Sequence, residues 1–285
     1  MDPTQHPYRS LLYIPASNQR ALAKARSLPA DAIIFDLEDA VAPAAKDEAR
    51  AILRTALAEG GYGRRLKIVR INGADTPWGS LDAQALGEMA PDAVLLPKVA
   101  GAGDIDALAR TSGALPVWAM METPQGILNA AAIAAHPLVA GLVMGTNDLA
   151  KELNCRPHPE RLPLMGALQT CLLAARAQGV VAVDGVYNAF RDEEGLRREC
   201  EQGRDLGFDG KTLIHPAQLA CANQVFAPGE GEIDLARRQI AAHEAAEAAG
   251  QGVAVLDGRI VENLHVETAR RLLAKAAQIT EQEES

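Results

Sequence analysis

The chain is poor in cysteine, in aromatic side chains and in clustered positive charge. Among its 285 residues the four cysteines, Cys155, Cys171, Cys200 and Cys221, are widely spaced and form no C-x-x-C pair. That argues against a disulfide framework or a thiolate metal site and fits reduced, packed thiols in a cytoplasmic protein. Phe, Tyr and Trp make up only 4% of the residues, so the core is expected to be aliphatic and helix-rich. The formal net charge is −9, from 28 basic and 37 acidic residues, with no basic run. A nucleic-acid surface is therefore not expected, although a local basic pocket for a phosphorylated ligand is compatible with this balance. The longest apolar stretch, residues 130–145, is broken by His136-Pro137 and too short to span a bilayer. Residues 1–7 lack the basic-then-apolar pattern of a secretory leader, so no membrane partner is expected.

What is present is a repeat of short apolar runs, at residues 11–15, 32–37, 67–71, 93–97, 116–121, 141–144, 180–183 and 212–214. They lack polar alternation, as strands buried on both faces do. Segments of helical spacing alternate with them, among them residues 20–28, 46–58 and 164–178. Strand–helix alternation implies parallel βαβ units, and eight repeats predict an α/β fold, a (β/α)8 TIM barrel with its site at the strand C-terminal ends. The alternative is a doubly wound open sheet. No G-x-G-x-x-G follows the first run, which weakens a dinucleotide-binding version of it. The pattern changes near Phe226. A helix over 233–249, a hairpin turning at Asp257-Gly258 and a last helix carrying Leu264, Leu272, Leu273 and Ile279 follow, ending in a polar, frayed tail at 280–285. The barrel is accordingly assigned to 1–228 and a lid or arm to 229–285. An arm with so few large apolar residues needs a surface to fold against, which makes a homo-oligomer expected.

The chemistry-bearing residues fall at the strand ends. Glu122 and Asp148 each close an apolar run beside a Gly-rich loop, an arrangement suited to a hard divalent cation with oxygen ligands. Asp36, Glu38 and Asp39 bring three acids within four residues after the second run, more than a helix cap requires. Arg70 lies within an apolar run and needs either a protein carboxylate or an anionic ligand. Arg9 before the first run, and Arg20 and Lys24 after it, read as phosphate contacts or as an exposed helix face. Lys98 reads as an ion pair at the mouth rather than a Schiff-base nucleophile. His215 reads as a hydrogen-bonded core histidine. A cation on Glu122 and Asp148, acting on a carbonyl with Arg70 offsetting negative charge, suits C–C bond cleavage or formation next to that carbonyl.

Six motifs in register carry a family resemblance. They are Arg9-Ser10 with Leu12-Tyr13-Ile14-Pro15-Ala16-Ser17, Asp36-Leu37-Glu38-Asp39-Ala40-Val41-Ala42-Pro43, Val69-Arg70-Ile71-Asn72, Leu96-Pro97-Lys98, Glu122-Thr123-Pro124 and Gly210-Lys211-Thr212-Leu213-Ile214-His215-Pro216. Together they resemble the citrate lyase β-subunit-like (HpcH/HpaI aldolase) family, in its CoA-ester lyase branch. The resemblance implies a Mg²⁺ site, with Mn²⁺ as a possible substitute, and an acyl-CoA substrate such as malyl-CoA or citramalyl-CoA. It implies Glu122 and Asp148 as metal ligands with Asp39, beside Glu38, in the outer shell. It further implies Arg70 on the substrate carboxylate, backbone groups of Gly145, Thr146 and Asn147 facing a small 2-oxo acid, and Arg9, Arg20 and Lys24 on the CoA phosphates. The arm carries Gly258-Arg259-Ile260-Val261-Glu262 where related lyases place an aspartate that reaches the site of a neighbouring subunit as general base, so the resemblance implies that the arm completes a neighbouring subunit's site. Glutamate moves the carboxylate by roughly 1.5 Å, the length of one backbone bond. The reading placed first is a hydroxyacyl-CoA lyase giving acetyl-CoA plus pyruvate or glyoxylate. A malyl-CoA thioesterase is the alternative on the same scaffold, and a citryl lyase β subunit or acyl-CoA-binding protein active only in a complex is another. The resemblance points to a trimer or a dimer of trimers.

Overall fold

The computed structural model describes residues 6–284, so most of the segment read for a leader lies outside the described residues. The chain divides into two compact units between Phe226 and Ala227. In the first, eight parallel strands close into a barrel in sequence order: β1 (Ser10–Pro15), β2 (Ala32–Asp36), β3 (Leu66–Arg70), β4 (Ala93–Leu96), β5 (Val117–Met121), β6 (Val139–Met144), β7 (Val181–Asp184) and β8 (Gly210–Leu213). β8 pairs with β1 to complete the ring. Among the described residues ten α-helices accompany them, besides three short 3-10 turns: α1 (Gln19–Ala25), α2 (Lys46–Glu59), α3 (Gly79–Met89), α4 (Ala102–Ser112), α5 (Pro124–Leu128), α6 (Ala130–Ala134), α7 (Thr146–Glu152), α8 (Met165–Gln178), α9 (Glu193–Leu206) and α10 (Leu219–Phe226).

Strand alternation sorts the apolar residues into two cores. Leu11, Ile34, Ile68, Leu95, Trp118, Val143 and Val183 fill the barrel interior. Leu12, Phe35, Val69, Leu96, Ala119, Leu142 and Leu213 pack against the helices. Both faces of each strand are thus dry, which is why the runs lack polar alternation. The expected strands are found with shifted ends. β6 begins at Val139, directly after the turn in which Val139 N–H donates to His136 O at 2.9 Å. β8 begins at Gly210-Lys211, two residues with no strand preference. A Cβ at Gly210 would stand 1.7 Å from Tyr8 O, so only glycine lets that strand start where it does.

The second unit comprises α11 (Glu230–Ala248), a hairpin of β9 (Ala254–Leu256) and β10 (Arg259–Val261), and α12 (Asn263–Glu283). Asp257 (φ 50°) and Gly258 (φ 76°) both adopt the left-handed conformation that a two-residue hairpin turn requires. Its core is small: Ala246, Ala254, Val261 and Val266, with Ile240 and Leu256 against them. In α12 Leu264 is exposed and the buried positions are Val266, Ala269 and Ile279. One expectation needs correction. The tail expected to fray is helical through Glu283, its Thr280 hydroxyl donating to Ala276 O at 3.2 Å.

Candidate active site

The C-terminal ends of the strands hold an acidic cluster built around one guanidinium. Asp36, the last residue of β2, stands beside Arg70, the last residue of β3, in the sheet register. Arg70 Nε and Nη2 grip the two Asp36 oxygens at 2.8 and 2.6 Å. Those oxygens also accept the backbone N–H groups of Glu38 (2.8 Å) and Ala40 (3.1 Å). The remaining nitrogen, Arg70 Nη1, reaches Glu38 Oε2 at 2.8 Å and Asp39 Oδ2 at 3.5 Å. Tyr13, projecting from β1, places its ring under the guanidinium, 4.8 Å from centroid to Cζ. Of the two roles open to Arg70 in the sequence, the structure shows the pairing with protein carboxylates: two nitrogens are fixed by Asp36, and the third meets Glu38 and Asp39 at the mouth.

Glu122 lies just past β5 and is 2% exposed. Its Oε1 accepts the Lys98 backbone N–H at 2.7 Å. Gly145 makes room for it, since a Cβ there would come within 2.4 Å of Glu122 Cβ and 2.6 Å of Oε2. Burial first, and Asp148 second among the groups that raise it, push the Glu122 carboxyl up to about 7, against the Lys98 N–H and Arg70. Burial likewise drives Glu38 up to about 8 against the pull of Arg70, with Asp39, Glu122 and Asp36 adding to the rise. Asp148 sits in the first turn of α7 and faces a cavity of about 320 Å³, which Tyr13, Asp39, Arg70, Gly145, Thr146 and Asn147 also line.

Two mutually repelling carboxylates, one of them in a cradle that any side chain at Gly145 would fill, suit a hard cation. No group of three or more His, Cys, Asp or Glu side chains converges on a metal position among the described residues. Magnesium fits this poverty, because it keeps several waters and takes one or two carboxylates plus substrate oxygens.

Other expected residues fall elsewhere. Arg9 is corrected: it precedes β1 and so lies at the opposite end of the barrel. There its Nε and Nη2 bind the Asp31 carboxylate at 3.0 and 2.9 Å, a buried pair unavailable to CoA. Arg20 and Lys24 are exposed on α1, and neither enters an ion pair among the described residues. His215 is no core histidine. It is exposed, its Nδ1 accepts Ala217 N–H at 3.1 Å, and its ring stacks on Phe190 at 4.5 Å. The Lys98 side chain is exposed, and its backbone N–H rather than its ammonium meets Glu122. Glu262 is exposed at the N-cap of α12 in the second unit. Asn147 exchanges carboxamide hydrogen bonds with Asn188 at 3.2 and 2.8 Å.

Sequence reasoning missed Lys46 and Tyr13. Lys46 is buried at the start of α2, where its Nζ donates to Leu37 O (2.7 Å), Glu38 O (2.7 Å) and Asn72 Oδ1 (2.8 Å). It thereby clamps the loop that carries Glu38 and Asp39. The only signal was its place at the end of a loop dense in acids.

A closed parallel barrel with acids at the strand ends places the chain in a recognisable class of enzyme. Residues 9–216 match the model of the HpcH/HpaI aldolase/citrate lyase family, and the chain belongs to that family. A (3S)-malyl-CoA thioesterase of Cereibacter sphaeroides (strain KD131 / KCTC 12085) is 65% identical over 96% of both chains. The citrate lyase subunit beta of Escherichia coli (strain K12) is 36% identical over 94% of this chain and 93% of its own. Among solved structures, CitE of Mycobacterium tuberculosis in complex with magnesium, acetoacetate and coenzyme A superposes with a TM-score of 0.79. It shares 32% identity and covers 94% of this chain and 97% of that one.

Proposed function

We propose that the protein is a Mg²⁺-dependent thioesterase of short hydroxyacyl-CoA esters, with malyl-CoA the first candidate substrate. The observation that carries this reading is the 65% identity, over 96% of both chains, to a (3S)-malyl-CoA thioesterase. It moves hydrolysis ahead of the lyase reaction that the motifs alone place first. Glu122 and Asp148 hold the metal, which supplies Lewis-acid polarisation of an acyl oxygen. Arg70 Nη1, the one nitrogen not committed to Asp36, shares its charge with an anionic oxygen of the acyl group. The exposed Arg20 and Lys24 meet the CoA phosphates. Water adds to the thioester carbonyl, the C–S bond breaks, and CoA leaves as the thiol with the free hydroxy acid as co-product. Glu262, carried on the arm of a neighbouring subunit, is the candidate base for that water. The apolar face of the arm, with Val253, Val255, Ile260 and Leu264 all more than half exposed, supports a homo-oligomer, trimer or hexamer.

C–C cleavage remains the second reading, favoured by the 36% identity to citrate lyase subunit beta. Incubating the protein with Mg²⁺ and malyl-CoA, with citramalyl-CoA in parallel and an EDTA control, separates the two by mass spectrometry. Free CoA plus malate is expected. Acetyl-CoA with glyoxylate or pyruvate would replace this reading with the lyase, and no turnover of either ester would replace it with a subunit that works only in a complex.

A further inference from the structure

We infer that Lys98 is a positioning residue for Glu122 and acts through its backbone: a left-handed turn aims its N–H at Glu122 Oε1 and leaves Oε2 to the cation. This rests on the functional reading above, in which Glu122 holds the metal, and adds the element that fixes that carboxylate. β4 ends at Leu96, and the chain leaves the strand through Pro97-Lys98, where Lys98 has φ 52°. After a proline, a turn position at positive φ is usually filled by glycine or asparagine. A lysine there is strained, and such strain persists only where the surroundings hold it. They do so at both following residues. A Cβ on Gly126 would stand 2.2 Å from Val99 O, so the loop lies directly on that glycine. Ala100 O accepts Asn129 Nδ2 at 2.7 Å, and Ala100 N–H donates to Asp104 Oδ2 at 2.7 Å.

What the strained turn delivers is one hydrogen bond, from Lys98 N–H to Glu122 Oε1 at 2.7 Å. The side chain does not explain the conformation, being exposed and engaged in no ion pair or hydrogen bond among the described residues. Glu122 Oε2 lies against Gly145, where a Cβ would come within 2.6 Å of it. The two oxygens are thus distinguished: Oε1 is committed to the protein, and Oε2 borders the glycine that leads into α7 and Asp148. Partners behind a ligating carboxylate fix its orientation, and magnesium, which demands near-ideal octahedral geometry, rewards a carboxylate that cannot turn. Burial raises the Glu122 carboxyl most; of the groups that pull it back, the Lys98 N–H comes first and the Lys98 ammonium last. The backbone group, not the charge, is therefore the main way in which Lys98 acts on Glu122.

Two substitutions separate backbone from side chain. Lys98→Asn removes the ammonium and keeps a residue that tolerates positive φ, whereas Lys98→Val puts a β-branched side chain where that conformation is an outlier. The readout is calorimetric Mg²⁺ binding to the full-length protein without substrate, with circular dichroism and thermal melting alongside. The Mg²⁺ Kd of Lys98→Asn should stay within about twofold of wild type, and that of Lys98→Val should weaken by about 10–100-fold. A wild-type Kd in folded Lys98→Val overturns the inference. So does a Lys98→Asn variant as weak as Lys98→Val, which would give the role to the ammonium. If Lys98→Val does not fold, Asn129→Ala, which releases Ala100 O and loosens the same loop, replaces it. Its Kd should weaken by about threefold or more, and an unchanged value overturns the inference. Wild-type protein that shows this Mg²⁺ pattern but turns over no malyl-CoA would instead remove the hydrolytic reading and leave the positioning role standing.

Discussion

The barrel carries two clusters of buried charge, and they solve the same electrostatic problem in opposite ways. On the outer side of β7 and β8, against α9, Asp184 accepts from Arg161 Nη1 at 2.7 and 2.8 Å and from Lys211 Nζ at 3.1 Å, and Glu199 takes the same lysine at 2.6 Å. Two acids meet two cations, so the charges of the cluster balance. At the mouth, Asp36, Glu38, Asp39, Glu122 and Asp148 gather around the single guanidinium of Arg70. The two clusters titrate differently, burial being the largest cause of the rise at the mouth. The cations hold Asp184 below the usual carboxylate range despite complete burial, whereas Glu38 and Glu122 rise to about 8 and about 7. A balanced cluster needs nothing from outside; a surplus of acid suits a cation that the chain does not supply, which is what the proposed function asks of it.

Breaking each cluster should therefore cost different things. Glu122→Gln removes a metal carboxylate and should reduce turnover of malyl-CoA to the level of the EDTA control, with the fold intact by circular dichroism. Lys211→Met leaves Asp184 and Glu199 with one cation too few and should cost about 3–5 kcal/mol of stability. Urea melts check this, and activity per folded molecule should change little. Lys46→Met, which frees the loop carrying Glu38 and Asp39, should weaken metal affinity or activity by about 10–100-fold, as losses behind the ligands do. A change confined to Tm would show the clamp to be structural only.

The smallest effect sharpens the comparison through pH. Glu122 and Glu38 are raised in the folded protein, so the metal-free fold is favoured below their unfolded values near 4.5. It loses that advantage as pH rises toward 7 and 8. Magnesium offsets the loss, so the Tm gain on adding it should be small at pH 5.5 and larger at pH 8.5. For a domain of this size the difference should be several degrees, at about 2–4 °C per kcal/mol. Asp184 has the opposite sign. Its stabilisation is present above the unfolded value of about 3.9 and is lost as pH falls through its lower folded value. A magnesium gain that is flat with pH would contradict the assignment of the acid surplus to a metal site.

How much of this was legible in the sequence depended on whether a residue's partner lay near it in the chain. The strands were readable because runs such as Ile33, Ile34 and Phe35 are dry on both faces and say so without context. Glu122 and Asp148 stand out in the sequence because each follows such a run, Glu122 directly after β5 and Asp148 in the first turn of α7. Lys211 does not, since nothing at Gly210-Lys211 announces that Asp184, 27 residues away, will neutralise a fully buried lysine. Lys46 was not singled out either, because nothing in its helix-start position announces that its ammonium will be buried on the Leu37 and Glu38 carbonyls and Asn72 Oδ1. Arg9 was misplaced although its position told against it, because a residue before a barrel strand lies at the end away from the site.

The measurement that bears most directly on the account is a calorimetric titration of Mg²⁺ into wild-type protein, Glu122→Gln and Asp148→Asn at pH 8. One ion per chain in the wild type, with binding lost in both variants, is the result expected of a mouth whose acid surplus exists to hold a metal. Wild-type affinity retained in both variants would contradict it.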